Sequence, residues 1–156
     1  MENLNPFLNN IIYQNWVAKY SLEKHILLDP GSWKPHFPTC IPLADEIIAS
    51  VNCHPVGSDL VGFLQETNVQ NLAITDGENA TKWYGQSMYG KIDIPQVEAV
   101  DTLAAGDVLH GAYCYYRYHE GLSFVEALKQ STLVASESVK FVGARKGVYN
   151  MASQKS

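Results

Sequence analysis

The segment Asp101-Thr102-Leu103-Ala104-Ala105-Gly106-Asp107 combines small residues with two carboxylates, directly ahead of an apolar run from Val108 to Tyr118. The run reads as a helix, so the small residues form the turn at its N-terminus. Backbone N–H groups at such a turn have no partner inside the helix and converge on one point, where they attract anions. Asp107 stands beside that point as a proton acceptor. An anion hole next to a carboxylate is the equipment for moving a phosphoryl group onto a hydroxyl.

The elements that must hold this turn follow from the periodicity of the chain. Ile11, Ile12, Trp16, Val17 and Tyr20 recur at helical spacing and predict an opening amphipathic helix. His25–Asp29 reads as a short buried strand, Pro30–Pro42 as a proline-rich loop and Glu46–Ser50 as a second strand. Ser58 is placed to cap a helix over Asp59–Glu66 with Leu60, Val61 and Leu64 inward. Asn71–Thr75 is a third strand, stopped by Asp76-Gly77, and Lys82–Tyr84 with Met88–Ile94 suits a hairpin.

Two helices come next. One runs over Ala105–His119 with Gly121 as its stop; the other starts at Ser123, which has capping-box spacing to Glu126 and sets Phe124, Leu128, Ala135 and Val139 toward a core. The tail after Gly147 is polar and expected to fray. Strands alternating with helices imply an α/β fold with a largely parallel sheet covered by helices. Ligands of such sheets bind at the carboxyl ends of the strands, where Asp29, Ser50, Thr75–Gly77 and Asp101–Asp107 all fall.

Composition narrows the function classes. The 156 residues, 46% of them hydrophobic, suit one domain with one core and exclude general disorder. A net charge of -5 without a basic stretch argues against nucleic acid as partner. No apolar segment nears the roughly 18 residues of a membrane helix. Met1–Asn5 lacks the features of a signal peptide, so a cytoplasmic protein is expected. Cys40, Cys53 and Cys114 are odd in number and widely spaced, which fits free, buried thiols better than a zinc site.

The motif Asp-Thr-x-Ala-Ala-Gly-Asp before an apolar helix resembles the C-terminal signature of the ribokinase-like (PfkB) carbohydrate kinases. The resemblance runs from about Asp29 to Gly147, over the nucleotide-binding half of that fold, a three-layer α/β/α sandwich. It implies three regions: 1–28 as an N-terminal helix and first strand, 29–147 as the catalytic and nucleotide-binding region, and 148–156 as a tail. It implies Asp107 as the base that takes the proton of the attacking hydroxyl, and the amides of Ala104, Ala105, Gly106 and Asp107 as the anion hole. Thr75, Gly77, Ser50 and Ser131 would line the site of ATP, which brings Mg²⁺. Asp101, Leu103, Ser138 and Gly143 would surround a monovalent cation such as K⁺.

The pattern departs from the family in three places. Ser50-Val51-Asn52-Cys53 stands where members often carry Asn-x-x-Glu, and Ala80 replaces the second glycine of Thr-x-Gly-x-x-Gly. The family's sugar-binding half and lid are not found ahead of Asp29, which describes a truncated kinase. A homodimer or a completing chain would then cover the open sheet edge.

The resemblance thus implies ATP-dependent phosphorylation of a sugar or small alcohol; the alternative is a non-catalytic nucleotide-binding or interaction module. Each residue also has a plainer reading. Asp107 suits a helix N-terminus, Thr75–Gly77 a simple turn, Asp101 a turn cap, and Ser50 and Ser131 satisfied hydroxyls. His110 shares a helix face with Asp107 and reads as a hydrogen-bonded core histidine rather than a metal ligand.

Overall fold

The computed structural model describes residues 25–35, 37–55, 59–64, 67 and 69–153. Its five strands lie in the order β1-β2-β3-β4-β5: β1 Leu27–Leu28, β2 Glu46–Ser50, β3 Asn71–Asp76, β4 Asn79–Tyr84 and β5 Tyr89–Ile92. The first three pair in parallel, with Leu28 opposite Ile47 and Ser50 opposite Thr75. Links of two and four residues join β3 to β4 and β4 to β5, too short for the crossover a parallel pair needs. The helices are α1 Phe37–Cys40, α2 Leu60–Leu64, α3 Ala105–Cys114, α4 Phe124–Ser138 and α5 Ala144–Ser153.

The described residues form two compact units rather than the single core expected from length. The first takes the chain up to Thr75 together with Tyr84–Tyr89; the second takes Asp76–Trp83 and everything from Gly90 onward. In the first unit, Ile47 and Ala49 of β2 and Leu72 of β3 join Ile26, Leu28, Ile41 and Leu60 in one buried cluster. Trp33 packs edge-on to Phe37 at 5.6 Å against that cluster, so it is a loop-packing residue.

In the second unit α3 and α4 pack along Leu109, Tyr113, Phe124, Ala127, Leu128 and Ala135, all buried. Tyr113 meets Phe124 edge-on at 6.0 Å. Phe124, Leu128, Ala135 and Val139 are buried as their helical spacing requires. The capping box is present: Glu126 N–H donates to Ser123 Oγ at 3.3 Å, and Ser123 N–H donates back to Glu126 Oε2 at 3.2 Å. Trp83 of β4 lies against Gly90 of β5, where a Cβ would come within 2.9 Å of its ring.

Several local expectations are corrected. The proline-rich loop contains α1 and a 3₁₀ turn over Ile41–Leu43. Ser58 lies outside the described residues, and α2 is capped by Asp59, whose Oδ1 accepts Gly62 N–H at 2.6 Å. The helix expected over Ala105–His119 is α-helical only to Cys114 and widens into a π turn over Tyr115–His119. There Glu120 N–H reaches back to the carbonyl of Tyr115 at 3.0 Å, and Glu120 Oε1 accepts from Tyr115 Oη at 2.6 Å. The chain then turns at Gly121, with φ +73°. Cys114 is exposed, whereas Cys40 and Cys53 are buried. Residues 148–153, expected to fray, form the second half of α5. The opening helix expected around Ile11–Tyr20 lies outside the described residues.

Candidate functional site

The turn before α3 is built around one left-handed residue. Ala104 is the N-cap of α3 with φ +63° and ψ +16°, the one non-glycine residue with positive φ among those described. A left-handed backbone brings Cβ close to the following carbonyl, so small side chains suit it. The turn is closed by Ala105 N–H donating to the Thr102 carbonyl at 3.2 Å, and helical bonding starts with Val108 N–H to the Ala104 carbonyl at 3.0 Å. No side chain caps α3. The amides of Gly106 and Asp107 therefore emerge from its first turn without a partner inside the helix. A Cβ at Gly106 would meet nothing within 4 Å, so its side-chain position is open.

Asp107 lies in the same turn with an exposed side chain. One turn on, His110 Nδ1 lies 2.7 Å from the Gly106 carbonyl, hydrogen-bonded as expected but half-buried rather than in the core. Carboxylate and open amides are thus one helical turn apart or less, as the sequence pattern requires. Anionic oxygen is the chemistry this turn fits: uncapped amides, a positive helix end and no side chain in the way.

Asp101 fastens the turn from behind. Its Oδ1 accepts Leu103 N–H and its Oδ2 accepts Gly143 N–H, each at 2.9 Å. Those two amides hold its carboxyl below the usual carboxylate range, Gly143 contributing most. Gly143 has φ +81°, a conformation that favours glycine. The Val139 carbonyl accepts from both Val100 N–H and Asp101 N–H, at 2.8 and 3.0 Å. Ser138 is buried, with Oγ donating to the Ala135 carbonyl at 2.8 Å.

Three of the residues expected around K⁺ are joined by hydrogen bonds, the Asp101 carboxylate accepting the Leu103 and Gly143 amides, and Ser138 precedes Val139, whose carbonyl accepts Asp101 N–H. Ser131 differs from expectation: it is fully buried in α4 and its Oγ donates to the Ala127 carbonyl at 2.5 Å, so its hydroxyl packs inside the helix layer.

In the first unit the carboxyl ends of β1, β2 and β3 come level. Ser50 N–H donates to the Pro30 carbonyl at 3.3 Å, and Thr75 Oγ1 donates to the Ala49 carbonyl at 3.2 Å. Ser50 Oγ accepts Asn52 N–H at 3.2 Å, which closes the turn after β2. Register thus places Ser50 and Thr75 side by side, with both side chains engaged by backbone. Gly77 follows in an exposed turn with φ +56°. Cys53 sits in the apolar cluster, where burial pushes its thiol up; it packs as a small apolar residue.

Sequence reasoning gave Val139 only a place in the core and gave Gly147 no role. Val139 acts through its carbonyl, which has no signature in side-chain chemistry. Gly147 is required because a Cβ there would lie 2.7 Å from the Ser138 carbonyl oxygen and 2.8 Å from its Cα. A glycine at the core-facing position of a helix was the available signal.

The family model described as pfkB family carbohydrate kinase matches residues 48–150. The chain belongs to the PfkB carbohydrate kinase family. Mouse ribokinase is 36% identical over 86 residues, which are 53% of this chain and 27% of that protein. A probable fructokinase of Arabidopsis thaliana is 31% identical over 98 residues, 62% of this chain and 28% of that protein. Thermotoga maritima ribokinase superposes with a TM-score of 0.72 at 22% identity, over 88% of this chain and 52% of its own. Xylella fastidiosa fructokinase, solved with bound ATP, superposes with a TM-score of 0.74 at 18% identity, over 94% of this chain and 58% of its own. The ribokinase-like α/β fold is thereby established. The chain spans little more than a quarter of the curated relatives it matches and somewhat over half of these structural neighbours. The matched region contains the whole Asp101–Asp107 segment and both helices behind it.

Proposed function

We propose that this PfkB chain serves ATP-dependent phosphoryl transfer to a hydroxyl of a sugar or related small alcohol. One observation carries the reading: the first turn of α3 has no side-chain cap and holds Asp107 in the same turn. The hydroxyl oxygen of the acceptor bonds to the γ-phosphorus of ATP while the bond to the β,γ-bridging oxygen breaks, and ADP leaves. Asp107 takes the hydroxyl proton. The amides of Gly106 and Asp107, with that of Ala104, face the charge that grows on the transferred phosphoryl oxygens; the Ala105 N–H expected among them is taken by the Thr102 carbonyl instead. Mg²⁺ neutralises phosphate charge when bound with ATP, held mainly by phosphate and water oxygens. The resemblance also assigns Thr75, Gly77 and Ser50 to the nucleotide; Thr75 Oγ1 donates to the Ala49 carbonyl, whereas the Ser50 hydroxyl accepts Asn52 N–H and keeps its own proton to donate.

The test is ADP release from ATP and Mg²⁺ across a panel of sugars and nucleosides, with wild type and Asp107→Asn. Loss of the base lowers turnover by about 10²–10⁴-fold, with affinity for a non-hydrolysable ATP analogue changed less than about threefold. Wild-type turnover by Asp107→Asn overturns the assignment. Cys53 favours a second reading, a nucleotide-binding module without transfer, because an apolar thiol replaces a carboxylate there. Analogue binding with no ADP from any acceptor supports that reading.

A further inference from the structure

The carbonyl of Gly106 and the N–H of Asp107 belong to one peptide unit, and in a trans peptide they point opposite ways. The N–H leaves the first turn of α3 without a partner inside the helix. The carbonyl looks along the helix, where His110 Nδ1 lies 2.7 Å away. A carbonyl oxygen can only accept, so Nδ1 is the donor and carries the hydrogen, whether the ring is neutral or charged. Helical side chains lean back over the preceding turn, which is how a ring four residues on reaches this oxygen. The α3 ladder brings His110 N–H to the same carbonyl, so one residue occupies both of its lone pairs. Little else steadies that peptide: Ala104 before it is left-handed, Gly106 has no side chain, and no side chain caps the helix. His110 itself stands on firm ground, because Leu109 and Tyr113 are buried where α3 packs on α4.

We propose that His110 is a positioning residue for the anion-binding turn: its Nδ1–H holds the Gly106–Asp107 peptide, so that the Asp107 amide keeps its aim at a phosphoryl group. The dipoles run one way, from imidazole N–H to carbonyl and from the amide N–H of the same peptide to a phosphate oxygen, and hydrogen bonds in such a chain strengthen one another. His110 touches no reacting atom in this role, and what it supplies is a donor rather than a charge. Its weight in catalysis rests on the phosphoryl-transfer reading above; its hold on the peptide does not.

The experiment compares the full chain with His110→Leu and His110→Asn. Leucine has bulk similar to the ring and no donor, whereas the asparagine amide nitrogen is bonded to Cγ just as Nδ1 is. Two NMR readings need no nucleotide. In alkaline buffer the imidazole nitrogen spectrum of the wild type shows the hydrogen of His110 on Nδ1. The amide nitrogen resonance of Asp107, which belongs to the held peptide, moves in His110→Leu and returns toward wild type in His110→Asn. Hydrogen on Nε2 in the wild type overturns the proposal, as does an unmoved Asp107 resonance in His110→Leu. Affinity for a non-hydrolysable ATP analogue falls roughly three- to tenfold in His110→Leu, the effect of one lost hydrogen bond, and stays within about twofold of wild type in His110→Asn. Affinity for adenosine, which carries no phosphate, changes in neither. A role in packing alone would follow bulk instead, so wild-type analogue binding by His110→Leu, or binding by His110→Asn as weak as that of His110→Leu, overturns the proposal. The wild-type tautomer decides even where a variant fails to fold. If the analogue binds none of the three proteins, the phosphoryl-transfer reading fails while the resonances still decide the hold on the peptide.

Discussion

Ala104 offers a sharp test of how the anion-binding turn is made, because two opposing effects act there and their sizes differ. Its φ of +63° places an L-residue in the left-handed region, at about 1–2 kcal/mol relative to a relaxed backbone. Glycine removes that strain but enlarges the freedom of the unfolded chain, a loss of about 0.4–1 kcal/mol. The relief of strain outweighs that loss, so Ala104→Gly stabilises by roughly 0.5–1 kcal/mol, which raises the melting temperature by roughly 1–4 °C for a chain of this size. Ala104→Val moves the other way. A β-branched residue in this region is a genuine outlier, and a further ~1.5 kcal/mol of strain lowers the melting temperature by roughly 3–6 °C. Differential scanning calorimetry on the three proteins decides the matter. A drop of 2 °C or more in Ala104→Gly, or a melt of Ala104→Val within 1 °C of wild type, would refute the claim that the turn stores backbone strain at this residue.

Three other outcomes follow from the same geometry. Gly147→Ala drives a Cβ to 2.7 Å from the Ser138 carbonyl oxygen; backbone cannot swing aside, so stability falls by about 1–3 kcal/mol in chemical denaturation, and a neutral result would mean α5 is not seated there. Gly111→Ala in α3 meets nothing within 4 Å and gains about 0.5–1 kcal/mol of helix propensity in the same assay. Glu126 is held below the usual glutamate range, first by the Ser123 hydroxyl and then by the Ser123 amide. Its folded pKa is thus below its unfolded one, so the capping box stabilises fully above about pH 5 and fades as pH falls through the carboxylate range. Ser123→Ala loses about 1 kcal/mol and flattens the melting curve against pH below 5; parallel pH profiles for variant and wild type would contradict this coupling.

What the sequence disclosed was local in origin. β2 and β3 are short runs rich in branched residues, and both appear with near the expected bounds because their hydrophobic pattern had no competitor. The Ser123–Glu126 box is a three-residue relation and was legible for that reason. The break at Cys114 was not, since apolar periodicity continues through Tyr118 and the π turn is marked by a backbone bond, Glu120 N–H to the Tyr115 carbonyl. The Asp59 cap was not legible, because Asp and Ser cap alike by type and the Asp59 bond to Gly62 N–H shows only once the helix start is placed. Ser131 had a hydroxyl to offer a ligand, yet a buried helix face supplies the nearer acceptor, the Ala127 carbonyl.

The candidate site divides along the same line. Its chemistry was written in side-chain types: one carboxylate, a run of residues small enough for a left-handed cap, and a glycine with nothing above it. Its support was not. Asp101 stands forty-two residues from Gly143, and the acceptor that joins their loops is the carbonyl of Val139, which any residue would supply. A motif can state which group attracts an anion, because that follows from identity and spacing. Whether the turn is held by amides or by an ion depends on which way backbone oxygens face after the chain has closed. For that reason the signature could mark Asp101 by type, while only the closed chain shows that its carboxylate joins the Leu103 and Gly143 amides.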